Sequence, residues 1–281
     1  MRTLGKVSEL TDFRRTANEP VVLVPTMGAL HAGHAALIEA ARRRAGHGGS
    51  VVVSIFVNPM QFGPHEDLAR YPRPLEADLM LAESRGADAV FLPAAEEIYP
   101  PGSSTVVEET ALARGLCGTA RPGHFRGVCT VVAKLFQLVR PTAAIFGEKD
   151  YQQLAIIRRM VRDLFFPVEI IGHPTVREPD GLARSSRNRY LDGGQRQRAT
   201  AFPAALQAAA AEATPAAIIA TATRLITDGT GLAPEYVAVV DAENLTPVSR
   251  LEQPAVLAAA VKIGETRLID NVLLGPRDGK V

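Results

Sequence analysis

The chain has 281 residues, 47% of them hydrophobic and 22% charged, a formal net charge of +1 and a mean hydropathy of +0.06. That length sets a prior of roughly two domains and buries about three quarters of the unfolded surface, so the cores need no staple. The composition argues against long disorder, and the near-neutral charge against a basic field that gathers nucleic acid, so an anionic ligand must be held by local groups.

Two cysteines, Cys117 and Cys129, have neither the number nor the spacing of a disulfide framework or a zinc site, and read as reduced thiols in or near a core. The first ten residues hold no apolar signal-peptide core, and no run reaches the ~18 apolar residues that span a bilayer. The expected setting is the cytoplasm, with no membrane partner.

Short apolar runs at 21–24, 51–57, 89–92, 143–146 and 168–171 read as strands buried on both faces, which suits a parallel sheet. Between them His34, Leu37, Ile38 and Ala41 recur at helical spacing, and 128–138 and 151–164 carry similar stripes. This alternation predicts an α/β fold, a doubly wound (Rossmann-like) parallel sheet over residues 1–175. The turn-rich stretch 172–182 (GHPTVREPDGL) marks the boundary. Beyond it, helices are expected at 196–213 and 215–227 and strands at 236–240, 256–263 and 266–269. They make a second, smaller α+β C-terminal domain over 176–281.

Residues 21–34 read VVLVPTMGALHAGH, a buried strand running into a turn and then a helix start. The first turn of a helix offers unpaired N–H groups and about half a positive charge, so it binds phosphate. Gly28 and Gly33 let backbone approach a nucleotide closely, and His31 and His34 can donate to phosphate oxygens as charge builds on a pentavalent transition state. Two other readings stay open for the pair: helix capping or core packing, and zinc, although zinc needs a third ligand and no HExxH pattern is present.

The HxGH turn resembles the HIGH signature of the nucleotidyltransferase superfamily. PTMGALHAGH, FVNPMQFG (56–63), YPR (71–73), RPGHFRGV (121–128), FGEKDYQQL (146–154) and SSRNRYL (185–191) occur in that order. Together they resemble the pantothenate synthetase (pantoate–β-alanine ligase) family over most of residues 20–192. The resemblance implies a ligase that joins pantoate to β-alanine with ATP and Mg²⁺ through an enzyme-held pantoyl adenylate, releasing pyrophosphate and AMP. It also implies a homodimer with small-molecule partners.

By the same resemblance Met27, Gly28, Ala29, Leu30, His31, Ala32, Gly33 and His34 form the ATP-binding turn, with His34 as proton donor and His31 its partner. Gly147, Glu148, Lys149 and Asp150 hold ATP, Lys149 on the phosphates and Asp150 nearer the ribose. Val176 stands at an adenine-contacting position. Arg184, Ser185, Ser186 and Arg187 stand where relatives carry a KMSKS-type loop, with Arg187 among the catalytic set. Arginine at 184 departs from the apolar residue or lysine expected there, which leaves its side-chain role open. Gln61 and Gln153 match the glutamines that hold pantoate, and Asn58, Tyr71 and Arg121 are further substrate-site candidates. Asp78, in the helix after Tyr71, is the candidate magnesium carboxylate.

Residues 65–67 (His65, Glu66, Asp67) look like a metal cluster but sit in a Gly/Pro loop and read as loop surface. Residues 275–281 (GPRDGKV) are too short between glycines for a phosphate loop and lack the Ser/Thr after Lys280. Three alternative functions remain: another HxGH nucleotidyltransferase, a zinc-dependent hydrolase using His31 and His34, and a non-catalytic nucleotide-binding module.

Overall fold

The structure, a computed structural model, describes residues 1–64 and 66–276, so His65 and the last five residues of the GPRDGKV segment lie outside the described residues. The chain divides into two compact units. The first comprises Met1–Ala111, Arg121–Glu148 and Ile156–Pro174; the second comprises Leu112–Ala120, Lys149–Ala155 and the chain from Thr175 onward.

In chain order the elements up to the second unit's main run are β1 (Arg2–Leu4), α1 (Val7–Thr16), β2 (Val21–Thr26), α2 (Ala32–Ala45), β3 (Ser50–Ile55), α3 (Leu75–Ser84), β4 (Ala89–Phe91) and α4 (Ala95–Ile98). They continue as α5 (Cys117–Ala120), α6 (His124–Val139), β5 (Ala143–Gly147), α7 (Tyr151–Asp163) and β6 (Glu169–His173). The six strands pair in parallel in the order β1-β4-β3-β2-β5-β6. β3 is buried at every position, Ser50 and Ser54 included, as a strand covered on both faces requires. α2 lays Leu37, Ile38, Ala41 and Ala45 on Val22, Val24, Val51 and Val53 in one core.

The strand order reverses between β2 and β5, the crevice where open α/β sheets bind ligands beyond their carboxyl ends. β2 pairs with β3 as far as Thr26↔Ile55 but with β5 only as far as Leu23↔Ala144. Pro25, which has no N–H to give, lies just past the point where the β5 pairing stops.

The second unit adds α8 (Gly193–Ala199), α9 (Ala201–Ala209) and α10 (Pro215–Thr230), followed by the antiparallel sheet β7 (Tyr236–Asp241), β8 (Ala255–Ile263) and β9 (Thr266–Leu274). Its core gathers Phe202, Leu206, Ile218 and Ile226 against Leu257, Val261 and Leu268. This is the α+β arrangement expected, with two differences. The single helix expected at 196–213 is two, broken at Thr200, and Pro203 falls in the first turn of α9 where its missing N–H is tolerated. β9 runs on to Leu274 because its whole length pairs with β8. Both cysteines are free and buried. Among the described residues, no helix is long and apolar enough to cross a membrane.

Candidate active site

At the end of β2, the Thr26 hydroxyl donates to the Ser54 carbonyl at 2.8 Å and accepts the Gly28 N–H at 3.1 Å, which starts the turn. Gly28 (φ +81°) and Ala29 (φ +50°) are consecutive left-handed residues. A Cβ at Gly28 would lie 2.9 Å from Ile55 Cγ2 and 3.0 Å from Asp78 Oδ2, so only glycine fits. For Ala29 the left-handed conformation costs about 1–2 kcal/mol. Asp78 offsets it: its carboxylate, 2% exposed in the first turn of α3, accepts the Ala29 N–H at 2.8 Å and the Leu30 N–H at 2.7 Å. The expected metal ligand is thus an anchor for the turn, with both oxygens engaged by backbone. Its neighbour Glu76 is exposed.

α2 begins immediately after. His31 is its N-cap, and Nδ1 accepts the Gly33 N–H at 3.1 Å, which leaves the ring proton on Nε2 as a donor. The rings of His31 and His34 stack with centroids 4.1 Å apart. Capping and a phosphate role, set apart as alternatives in the sequence, are compatible for His31 because they use different nitrogens. Ala32 and Gly33 complete the opening turn.

A second group forms around Gln61. Asn58, 1% exposed, has its amide engaged on every side. Nδ2 donates to Gln61 Oε1 and to the Gly127 carbonyl, each at 3.0 Å, and Oδ1 accepts from Tyr99 OH at 2.8 Å and Met60 N at 3.3 Å. Asn58 therefore does not stand as a direct substrate contact; it orients Gln61. Gln61 Nε2 lies 3.0 Å from the Met27 sulfur.

Arg121 forks Glu66 through Nε at 2.6 Å and Nη2 at 2.8 Å, and its Nη1 meets His124 Nε2 at 2.9 Å. His124 Nδ1 reaches the Gln61 carbonyl at 2.8 Å. Burial favours the neutral acid at Glu66, but the Arg121 hydrogen bonds and charge outweigh it and hold the carboxyl down at about 2. Arg121 thus braces the Gln61 segment through His124. Tyr71 is buried with its ring edge-on to Phe62.

Gly147 closes β5, with Glu148 following. In the second unit, Lys149, Ser185, Asn188, Arg267 and Asp270 line one cavity of about 20 Å³. The structure thus brings together two ATP-site candidates, Lys149 and Ser185, that lie 36 residues apart in the chain. Lys149 Nζ is 3.9 Å from Asp150 Oδ1, and its carbonyl accepts from Asn271 Nδ2 at 3.0 Å. The Ser185 hydroxyl caps the short 3-10 turn Ser186–Tyr190 by accepting the Arg187 N–H.

The Val176 carbonyl accepts the Arg184 N–H at 2.8 Å. The Arg184 guanidinium lies 3.2 Å from Glu178 Oε2, an oxygen shared with Arg196 at 2.6 Å. Burial disfavours the charge on Glu178, yet hydrogen bonds from Asn188 and Arg196 and the Arg184 charge keep its carboxyl below the usual range. Gln152 and Gln153 also separate. Gln152 is buried, donating to the Leu112 and Gly115 carbonyls at 2.8 Å and accepting Cys117 N–H at 2.9 Å, while Gln153 is half-buried in the first turn of α7. Sequence reasoning missed Tyr99, His124, Glu66 and Asn188 as supports. His124 and Asn188 stand inside the motif blocks, but nothing in the sequence marked Tyr99.

A family model described as pantoate-beta-alanine ligase matches residues 1–273. The chain belongs to the pantoate–β-alanine ligase family. The pantothenate synthetase of Geobacter sulfurreducens is 50% identical, over 98% of this chain and 99% of that one. That of Moorella thermoacetica is also 50% identical, over 99% of each. Among solved structures, the pantothenate synthetase of Thermus thermophilus superposes with a TM-score of 0.92 at 48% identity, covering 98% of this chain and 100% of that one. The pantoate-beta-alanine ligase of Francisella tularensis, solved with beta-gamma ATP and β-alanine, gives 0.82 at 35% identity, covering 99% and 100%. As a member of the pantoate–β-alanine ligase family, the chain is an enzyme that forms an amide bond between those two substrates.

Proposed function

We propose that the chain condenses pantoate with β-alanine through a pantoyl adenylate, ATP supplying the adenylyl group. The observation that carries this is the turn between β2 and α2, a backbone loop anchored by Asp78 that ends in a histidine-capped helix start beside the strand-order reversal. A pantoate carboxylate oxygen attacks the α-phosphorus, the bond to the β-phosphate oxygen breaks, and pyrophosphate leaves. A carboxylate is already a nucleophile, so this step needs positioning and charge neutralisation rather than a base. His34 and the Nε2–H of His31 serve the phosphate oxygens, and Met27–Gly33 backbone shapes the nucleotide's approach. Lys149, Ser185, Ser186 and Arg187 hold the phosphates, with Gly147, Glu148, Asp150, Val176 and the backbone of Arg184 on the rest of ATP.

The β-alanine amine then attacks the acyl carbon, the acyl–phosphate bond breaks, and AMP departs with the bonding pair. Gln61 and Gln153 hold pantoate, their amide donors suiting a carboxylate and hydroxyls. Mg²⁺ belongs to this reading as the companion of ATP. Asp78 is buried and each of its oxygens accepts one backbone N–H, so the work assigned to it is holding the turn, and no step is assigned to the metal. A cytoplasmic setting and a homodimer are part of the same reading, the homodimer resting on family resemblance.

The route predicts where an oxygen atom goes. With ¹⁸O in the pantoate carboxylate, the adenylate mechanism places one label in the AMP phosphate. AMP free of label, alongside labelled pantothenate, would exclude an acyl adenylate.

A further inference from the structure

Gln61 can meet a ligand in two nearly isosteric ways, carbonyl first or NH₂ first, and only the second suits a carboxylate. Asn58 decides between them. Its Oδ1 is fixed by two donors, the Tyr99 hydroxyl at 2.8 Å and the Met60 N–H at 3.3 Å, and its Nδ2 by the Gly127 carbonyl at 3.0 Å. The remaining Nδ2 hydrogen then faces Gln61 and binds Oε1 at 3.0 Å, so the Gln61 NH₂ is turned toward Met27. A thioether is a weak acceptor, so an oxygen ligand displaces it readily.

We propose that Tyr99 is a positioning residue for the acid substrate, acting through Asn58 to keep the Gln61 NH₂ group as the ligand-facing end. This rests on the reading that Gln61 holds pantoate. Tyr99 is built for a fixed donor role. Its ring lies 4.8 Å under the Lys134 ammonium, which is itself tied to the Ile98 carbonyl at 2.6 Å, and 6.2 Å from the Phe56 ring. Burial, partly offset by the bond to Asn58, pushes the Tyr99 hydroxyl up to about 12, so it stays a protonated donor at neutral pH. Phenylalanine at 99 would keep the ring contacts and remove the one hydrogen bond.

A double-mutant cycle on kcat/KM tests the chain of contacts. Tyr99→Phe should lower kcat/KM for pantoate about tenfold, the worth of one buried hydrogen bond, with the KM for ATP unchanged. In a Gln61→Ala background the same substitution should have no further effect, because the group it positions is gone. A full Tyr99→Phe effect persisting in that background, or no effect in the wild-type background, overturns the proposal. Gln61→Ala with unchanged pantoate KM would instead defeat the underlying reading, so the two failures are distinguishable. A measurement on the unsubstituted enzyme stands beside the cycle: the ¹⁵N-labelled Gln61 side-chain NH₂ resonance should move on adding pantoate, and an unmoved resonance under saturation contradicts the assignment.

Discussion

Asp78 Oδ2 lies 2.8 Å from the amide nitrogen of Ala29, a residue held at φ +50° where alanine is strained. The other oxygen takes the next N–H along, so one side chain of α3 fixes two consecutive peptides of the turn that follows β2. A carboxylate can accept from both. An asparagine cannot, because one of its two atoms is a donor.

Asp78→Asn should therefore destabilise the protein by about 1–3 kcal/mol, the penalty of a buried unsatisfied donor. Urea unfolding measures it. The KM for ATP should rise with the loss of turn geometry, while the Mg²⁺ concentration giving half-maximal activity stays the same. A shifted Mg²⁺ requirement with unchanged stability would return Asp78 to the role of metal ligand.

Gly127 predicts a coupling between packing and substrate binding. A Cβ there would lie 2.4 Å from the Met60 carbonyl oxygen and 2.7 Å from the Gln61 nitrogen, both backbone atoms that cannot swing away. Gly127→Ala should cost about 1–3 kcal/mol in stability and raise the KM for pantoate more than that for ATP. Thermal unfolding and substrate titrations check the two parts.

Glu66 gives a pH prediction with a definite sign. Its folded pKa is lowered to about 2 by Arg121 against an ordinary value of 4.5, burial opposing. The unfolded state thus binds the proton more readily, and Glu66 contributes stability above about pH 4.5 that is lost as pH falls toward 2. Glu66→Gln should be less stable than wild type at pH 7, with the gap narrowing as the pH is lowered through that window. Urea midpoints at pH 7, 4 and 3 would show it; a constant gap contradicts the pairing.

Arg184 and Arg187 should behave differently despite standing in one motif. The Arg184 guanidinium is paired with Glu178 inside its own loop. Arg184→Ala should leave stability within about 0.5 kcal/mol and ATP binding nearly unchanged. Arg187→Ala should slow adenylation in single-turnover measurements, and an unimpaired rate would remove it from the phosphate-binding set.

Much of this was legible in the sequence because its signals are local. Unbroken apolar runs such as 21–24 mark the parallel strands, and the strand–turn–helix with Gly28 marks the candidate nucleotide turn at the end of β2. Three-residue β1 is too short to carry a pattern, and α1 reads as polar, so neither stood out. The site was legible as a set of residues but not as a division of labour. Asp78 looked like a metal acid because its partners, the N–H groups of Ala29 and Leu30, are 49 and 48 residues away and belong to backbone. Asn58 looked like a substrate contact because burial depends on Tyr99 and Gly127, which only tertiary packing brings to it. Side-chain identity marks where chemistry can happen, whereas long-range hydrogen bonds decide which groups face the ligand.

The central claim, that this turn serves a reversible adenylation of pantoate, is tested most directly by pyrophosphate–ATP exchange with pantoate present and β-alanine absent. The account predicts exchange that requires pantoate and that falls about 10²–10³-fold in His34→Ala with the fold intact, the scale for losing one transition-state donor. No exchange from a folded, ATP-binding protein, or exchange indifferent to pantoate, would contradict it.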